Sequence, residues 1–372
     1  MKLLDVAKVI RSKNAGPTTL TLDLLFNDVQ GFKRALACSL KPATIAPHAW
    51  TLFLAAACAM ATLPTPAHGA DAAASFPTRP IRIVIGFTAG GVVDISSRVI
   101  AQKLAESWKQ QVVVDNRPSA GGIIGAQIVG KANPDGYTLL AVTASHAVAP
   151  AIYSKLPYDT VKDFAGITTT LNSPAVLVVS PALGVKSVKD LIALAKAKPG
   201  QLNFASAGIG SATHFSAELF KSMAGIDVTH VPFKGTPEAL TDTMTGRVQY
   251  FLSPLAVALP TIKDGKLLAL AVSTAKRASV IPEVPTIAEA GVTGYNWGTW
   301  FGMLAPAKTS RPVVDKLNRE ITRILILPDV RERWVSLGAE PIPSTPAEFD
   351  KLIAEQIAVL TQLARAANIK AD

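Results

Sequence analysis

From Phe76 onward the chain alternates short apolar runs with segments whose apolar positions recur every three or four residues. The first kind predicts buried strands and the second predicts amphipathic helices. The pattern is clearest over 81–107. Residues 81–87 read as a buried strand, and the turn Thr88-Ala89-Gly90-Gly91 follows. A helix comes next, with Val92, Ile95, Val99, Ile100 and Leu104 on one face. The same sequence of elements recurs over 202–225. A strand at 202–205 runs into Ser206-Ala207-Gly208-Ile209-Gly210-Ser211, then into a helix through Met223. Each unit presents unpaired backbone N–H groups and the positive end of a helix dipole, an arrangement that attracts anions. Glycines in the turns allow a ligand to approach the backbone. We expect the two helix N-termini to face each other across a cleft holding a small carboxylated molecule.

Further strands are predicted at 111–114, 137–142, 175–179, 228–231, 248–252, 266–273 and 297–304. Between them lie helices ending near Val129, Met244 and Ile262, and one opening at Ser187 with Asp190 three positions on. The tail reads as helices at 312–326, 328–337 and 346–367, the last with Thr345 as its N-cap. This alternation predicts an α/β protein with parallel sheets flanked by helices. The β-rich runs at 175–179 and 297–304 read as two crossover segments. They divide the chain into a discontinuous lobe 1 (76–175 and 300–372) and an inserted lobe 2 (176–299). Thr143 and Ser145 fall at the end of a strand, where open α/β sheets bind ligands.

The first 70 residues differ from this pattern. Residues 50–63, WTLFLAAACAMATL, are apolar but too short to span a bilayer comfortably. Basic residues precede them, and small residues precede Ala70. This is the layout of a secretory signal peptide cut near Gly69/Ala70, with a membrane anchor as the alternative. A lipoprotein cut at Cys58 is disfavoured because Ala55 stands where Leu or Val is expected. Residues 1–47 are longer than an ordinary n-region, either an unusual leader or a misassigned start, and no fold is read from them. Cys38 and Cys58, the chain's two cysteines, both precede the cut, so the exported part has no thiol. This suits a periplasm, where disulfides are permitted but not required. The full chain has a formal net charge of +10. Removing the leader's seven Lys/Arg and three Asp/Glu leaves +6. The basic residues are scattered singly, which gives no footprint for nucleic acid.

Several chemistries are excluded by motif. There is no phosphate-cradling G-x-x-x-x-G-K-[ST], no dinucleotide fingerprint, no H-E-x-x-H and no G-x-S-x-G elbow. No metal or cofactor is expected. Ser211 and His214 lie at i, i+3, so a hydrolase with Ser211 as nucleophile is one alternative. The plainer reading makes Ser211 a helix cap and His214 a cleft-wall residue. Asp94 either stabilises its own helix start or touches ligand. Thr143, Ser145 and Thr213 offer neutral donors. Trp297 and Trp300, an odd number of residues apart, are expected in core or hinge packing.

The motifs FPTRPIRIVIGFTAGGVVD, VVVDNRPSAGGIIGA, ANPDGYTLL, YDTVKDFAGI, FASAGIGSATHFSAELFKSMAG, HVPFKG, VPTIAEAG and W-F-G-x-x-A-P occur in order from about Phe76 to the end. The chain thereby resembles the Bug-type extracytoplasmic solute receptors of tripartite tricarboxylate transporters. The resemblance implies a two-lobed, type II-like periplasmic binding protein, monomeric and non-catalytic. It would close on a di- or tricarboxylate, an acidic amino acid or an aromatic acid. It implies a large and a small membrane permease subunit as partners. Family ligands are held by backbone N–H groups, hydroxyls and waters. Carried over, the site comprises Phe87, Thr88, Ala89, Gly90, Gly91 and Asp94, then Thr143, Ser145 and His146, then Gly208, Gly210, Ser211, Thr213 and His214. The alternative within the same class is a receptor that signals to a membrane sensor. Departures from the family pattern (GFTAGG for PFPPGG, Asp115 for Glu, Ser119 for Gly, Ser253 for an acid or amide) bear on the ligand and not on the fold.

Overall fold

The computed structural model describes residues 7–14, 20–26 and 74–371. The chain forms two units, Met1–Pro66 and Ala67–Asp372. In the first, β1 (Ala7–Asn14) and β2 (Leu20–Phe26) pair as an antiparallel hairpin. The sequence reading assigned no element to this stretch. Apolar residues at 20, 22, 24 and 26 alternate with Thr21 and Asp23, the pattern of a strand. The signal-peptide segment at 50–70 lies outside the described residues. Among the described residues no helix is long and apolar enough to cross a membrane.

The second unit is built on β3 (Ile81–Ile85), whose Ile81, Ile83, Val84 and Ile85 are fully buried. It pairs in parallel with β4 (Val112–Asn116) and β5 (Thr138–Thr143). Helix α1 (Val92–Trp108) returns over this sheet, and α2 (Ile123–Gly130) and α3 (Ser145–Ile152) follow β4 and β5. The chain then enters β6 (Phe164–Val179), 16 residues long. Its first part, through Pro174, pairs with β11 (Gly298–Pro306), and its last five residues pair with β9 (Tyr250–Pro254) and β10 (Leu268–Val272). The second sheet contains β7 (Asn203–Ser206) and β8 (Thr229–Pro232), parallel to β9. Helices α4 (Val188–Ala197), α5 (Ala212–Ala224), α6 (Thr236–Met244) and α7 (Leu255–Lys263) connect these strands. The tail packs back as α8 (Arg311–Leu325), α9 (Pro328–Val335), the short β12 (Glu340–Pro341) and α10 (Pro346–Ala366). Thr345 opens α10 with a full capping box to Glu348.

The ladder runs β4-β3-β5-β11-β6-β9-β7-β8, with β10 and β12 also on β6. The sheets are therefore mixed. Each holds a parallel set of three, and the strands that change lobe run against their neighbours. The sequence reading found only the last five residues of β6. Its earlier part carries Thr168, Thr169 and Thr170, a polar run that is nonetheless buried. Threonine is β-branched and suits a strand. The polar groups are satisfied locally. The Thr168 hydroxyl donates to the Ser344 carbonyl (2.9 Å), and that of Thr169 donates to the Ile342 carbonyl.

One serine joins the two crossover segments. Ser273, just past β10, is completely buried. Its Oγ accepts the Ala175 N–H (2.9 Å) and donates to the Trp297 carbonyl (2.6 Å). Its own N–H and C=O complete the join, to the Ala175 carbonyl and the Trp297 N–H (both 2.8 Å). Trp297 then stacks on Phe215, and Trp300 meets Phe349 edge-on, so both tryptophans pack in the core. Ser273→Ala strands a buried N–H and a buried C=O. We expect it to lower the unfolding free energy in urea by about 1–3 kcal/mol. Ser336→Ala on the exposed face of α9's end should stay within about 0.5 kcal/mol of wild type.

Candidate functional site

Turns and helix starts from both lobes converge on one small cavity. Lobe 1 contributes Phe87, Thr88 and Gly91 from the β3–α1 turn, and Thr143 and Ser145 from the β5–α3 junction. Lobe 2 contributes Ala207, Ser211, Ala212 and Thr213 from the β7–α5 turn, Thr236 at the start of α6, and Pro254. Thr299 and Phe301 of β11 also face it. The cavity measures about 40 Å³ and no lining side chain is ionisable. A larger open groove of about 820 Å³ lies beside β10 and α4. There Arg277 and Glu289 pair with each other (2.9 Å), and Ser187 caps the helix start. The convergence of helix starts singles out the smaller cavity as the candidate site.

The two helix termini expected to face each other do line this one cavity, but they differ electrostatically. Helix α5 is capped by hydroxyls. Ser211 accepts the His214 N–H (3.1 Å), Ser145 from the opposite lobe accepts the Ala212 N–H (2.9 Å), and Thr213 accepts the Ala207 N–H (2.9 Å). Thr143 bonds Ser145 (2.7 Å) and Ser211 bonds Thr213 (3.0 Å), so these four hydroxyls form two linked pairs. Helix α1 begins at Gly91 with no side-chain cap. Asp94 in its first turn is turned away from the cavity. Its carboxylate accepts the Gly90 N–H (3.0 Å), the Arg98 guanidinium (3.0 Å) and the Asn116 amide (3.0 Å). Burial opposes its ionisation, but Arg98, the Gly90 N–H and Asn116 outweigh that and hold the carboxyl below its usual range.

The lobes touch directly around the cavity. Thr88 donates its hydroxyl to Glu238 (3.0 Å) and its N–H to the Lys234 carbonyl (3.4 Å). Tyr153 donates to the Ile209 carbonyl (3.2 Å). Two glycines permit this approach. A Cβ on Gly235 would collide with Thr88, and Gly210, at φ +76°, would set a Cβ 2.6 Å from the Tyr153 ring.

Of the residues expected in the site, Phe87, Thr88, Gly91, Thr143, Ser145, Ser211 and Thr213 line the cavity. Ala89, Gly90, Asp94, Gly208, Gly210 and His214 lie outside its lining. His146 borders a smaller adjoining space of about 10 Å³ with Tyr158, Gly121 and Gly122. Sequence reasoning did not assign Ala207, Thr236, Pro254, Thr299 or Phe301 to the site. Thr236 was visible only as part of a Gly-Thr-Pro turn, and Thr299 and Phe301 only as part of a crossover. His214 meets the Ser211 hydroxyl through its backbone N–H and not through its imidazole. Its Nδ1 accepts the Gly210 N–H (3.4 Å), and its ring stacks on His230 at 4.1 Å. Among the described residues no cluster of metal-ligating side chains occurs.

Comparison with known proteins agrees with this architecture. Residues 96–369 match the family model described as "Tripartite tricarboxylate transporter family receptor". The chain belongs to this receptor family. A UPF0065 protein of Pseudomonas sp. strain P51 is 39% identical over 78% of this chain and 86% of its own length. BugT of Bordetella pertussis is 36% identical over 76% of this chain and 87% of its own. Among solved structures, Rhodopseudomonas palustris Rpa4515 with adipate superposes with TM-score 0.77 at 36% identity, covering 79% of this chain and 99% of that one. MatC of the same organism, with bound malate, gives 0.75 at 33%, covering 77% and 99%. Residues 3–50 match a separate model, a domain of unknown function, which spans the β1–β2 hairpin.

Three histidines of the receptor are held neutral. Burial lowers His146 to about 4, partly offset by the Thr160 carbonyl. Burial, helped by the Lys221 charge, lowers His214 to about 4. Burial, with His214 and Lys221, lowers His230 to about 3. In the unfolded chain each titrates near 6.5. The stability they carry is therefore present above pH 6.5 and lost as pH falls toward 4, by up to about 1.4 kcal/mol per pH unit per histidine. Glu218, raised by burial, acts in the opposite sense at the acid end. Urea unfolding at pH 7, 6 and 5 should show a falling free energy, and His146→Phe should flatten the slope.

Proposed function

We propose that this receptor captures a small carboxylate in the cleft between its lobes and delivers it to the large and small permease subunits of a tripartite transporter. The observation that carries the reading is the cavity itself, an uncharged chamber where the uncapped start of α1 meets hydroxyls from both lobes. In such a place neutral donors and oriented N–H groups stabilise an anion without a paired cation. The adipate and malate bound to the two structural relatives support a carboxylate as the ligand class. The chain works without catalysis, as a monomer, after export and cleavage near Gly69/Ala70. The ring of His214 is committed to the Gly210 N–H, which favours binding over hydrolysis at Ser211.

The test is native mass spectrometry of the purified protein, then thermal unfolding with adipate, malate, citrate, glutamate and benzoate. A ligand at a hundredfold excess over its Kd should stabilise the fold by about 2.7 kcal/mol and raise Tm by several degrees. A flat response to all five acids, with no acid co-purifying, would sink the carboxylate reading.

A further inference from the structure

Seven of the cavity's lining residues carry hydroxyls, and six of these are engaged within the protein. Thr88 donates to Glu238. Thr143 pairs with Ser145, and Ser211 pairs with Thr213. Thr299 accepts the Trp297 indole N–H (3.2 Å). The seventh, Thr236, has no hydrogen-bond partner among the described residues. It is 8% exposed, and its Oγ1 lies 3.9 Å from where a Cβ on Gly91 would sit. The free hydroxyl thus stands beside the uncapped N-terminus of α1, although it comes from the other lobe. Thr236 is also the first residue of α6, whose N-cap Gly235 has no side-chain cap. Two uncapped helix starts, one from each lobe, therefore meet at this hydroxyl.

We propose that Thr236 is the lobe 2 anchor for the ligand carboxylate, donating its hydroxyl to an oxygen held between the starts of α1 and α6. The inference rests on the receptor reading above and assigns one end of the ligand. The Thr236 hydroxyl opens on the cavity and is not among the side-chain atoms sealed in the core without a partner, so its donor is available to a group from outside the chain. The sequence around it fits the role. Pro237 follows, lacking an N–H and fixing its own φ in the first helical turn, so it stiffens the segment that carries Thr236. Thr88 binds the nearby Glu238 carboxylate and so engages the one acid in that turn. Because the anchor and the α1 terminus belong to different lobes, a carboxylate bridging them ties ligand binding to closure.

The experiment is isothermal titration of the wild type, Thr236→Val and Thr236→Ser with adipate, malate and benzoate, alongside thermal unfolding without ligand. Valine keeps the shape and removes the hydroxyl. The expected result is affinity weakened tenfold or more in Thr236→Val, recovery to within about threefold in Thr236→Ser, and ligand-free Tm values within about 2 °C of each other. Equal affinity in wild type and Thr236→Val would overturn the anchor and leave the receptor reading intact. No binding of any of the three acids by wild type would overturn the anchor together with the reading on which it rests.

Discussion

The geometry of the cleft depends on a single buried hydroxyl in the join between the lobes, bonded to Ala175, the strand partner of the cavity-lining Pro254, and to Trp297, two residues before the cavity-lining Thr299. Ser273 accepts from one crossover segment and donates to the other, and its backbone repeats both links. Every residue that lines the cavity reaches it from a lobe whose orientation is set at this join. The long strand β6 acts with it. With 16 residues rising about 3.3 Å each, it is a beam of roughly 50 Å shared by both lobes. Hydrogen-bonded to β11 over its first part and to β9 and β10 over its last, it resists separation by sliding. What remains is rotation about the beam, a hinge motion that moves the mouth far and the join little.

Against that frame the site is assembled from neutral parts. Hydroxyls and helix starts replace the arginine that a carboxylate pocket is often expected to use. The division of labour between helices follows from local sequence. Ser211, with Ser145 from the other lobe, satisfies the start of α5, whereas Gly91 and Gly235 leave α1 and α6 open. An anion is thus directed toward one side of the cavity, and apolar groups such as Phe87, Pro254 and Phe301 form the rest of the wall.

Much of this was legible in the sequence, because the signals were local. The glycine turns after Phe87 and Ser206, the N-caps at Ser187, Ser211 and Thr345, and the alternation of strand and helix each express a few neighbouring residues. What was hidden depended on distant ones. The Thr168–Thr170 run reads as polar until the segment at 342–344 arrives to satisfy it. Asp94 offered itself as a ligand contact because nothing in the sequence places Asn116 beside it, 22 residues on. Thr236, Thr299 and Phe301 join the site only through the topology of the crossovers. The hairpin at 7–26 was overlooked for a different reason. Its alternation was present, but the signal-like run behind it drew the whole segment into a leader.

The uncharged lining has a consequence for how such a receptor experiences its surroundings. No wall group gains or loses a proton across the pH range a bacterium meets. While the fold holds, occupancy then follows the ionisation of the solute, since the carboxylate form is the one that suits two open helix starts. The cleft behaves as a fixed reference against which an acid's own protonation is read. As the medium approaches the acid's pKa, the fraction captured falls because the solute has changed, while the lining side chains keep their charge state.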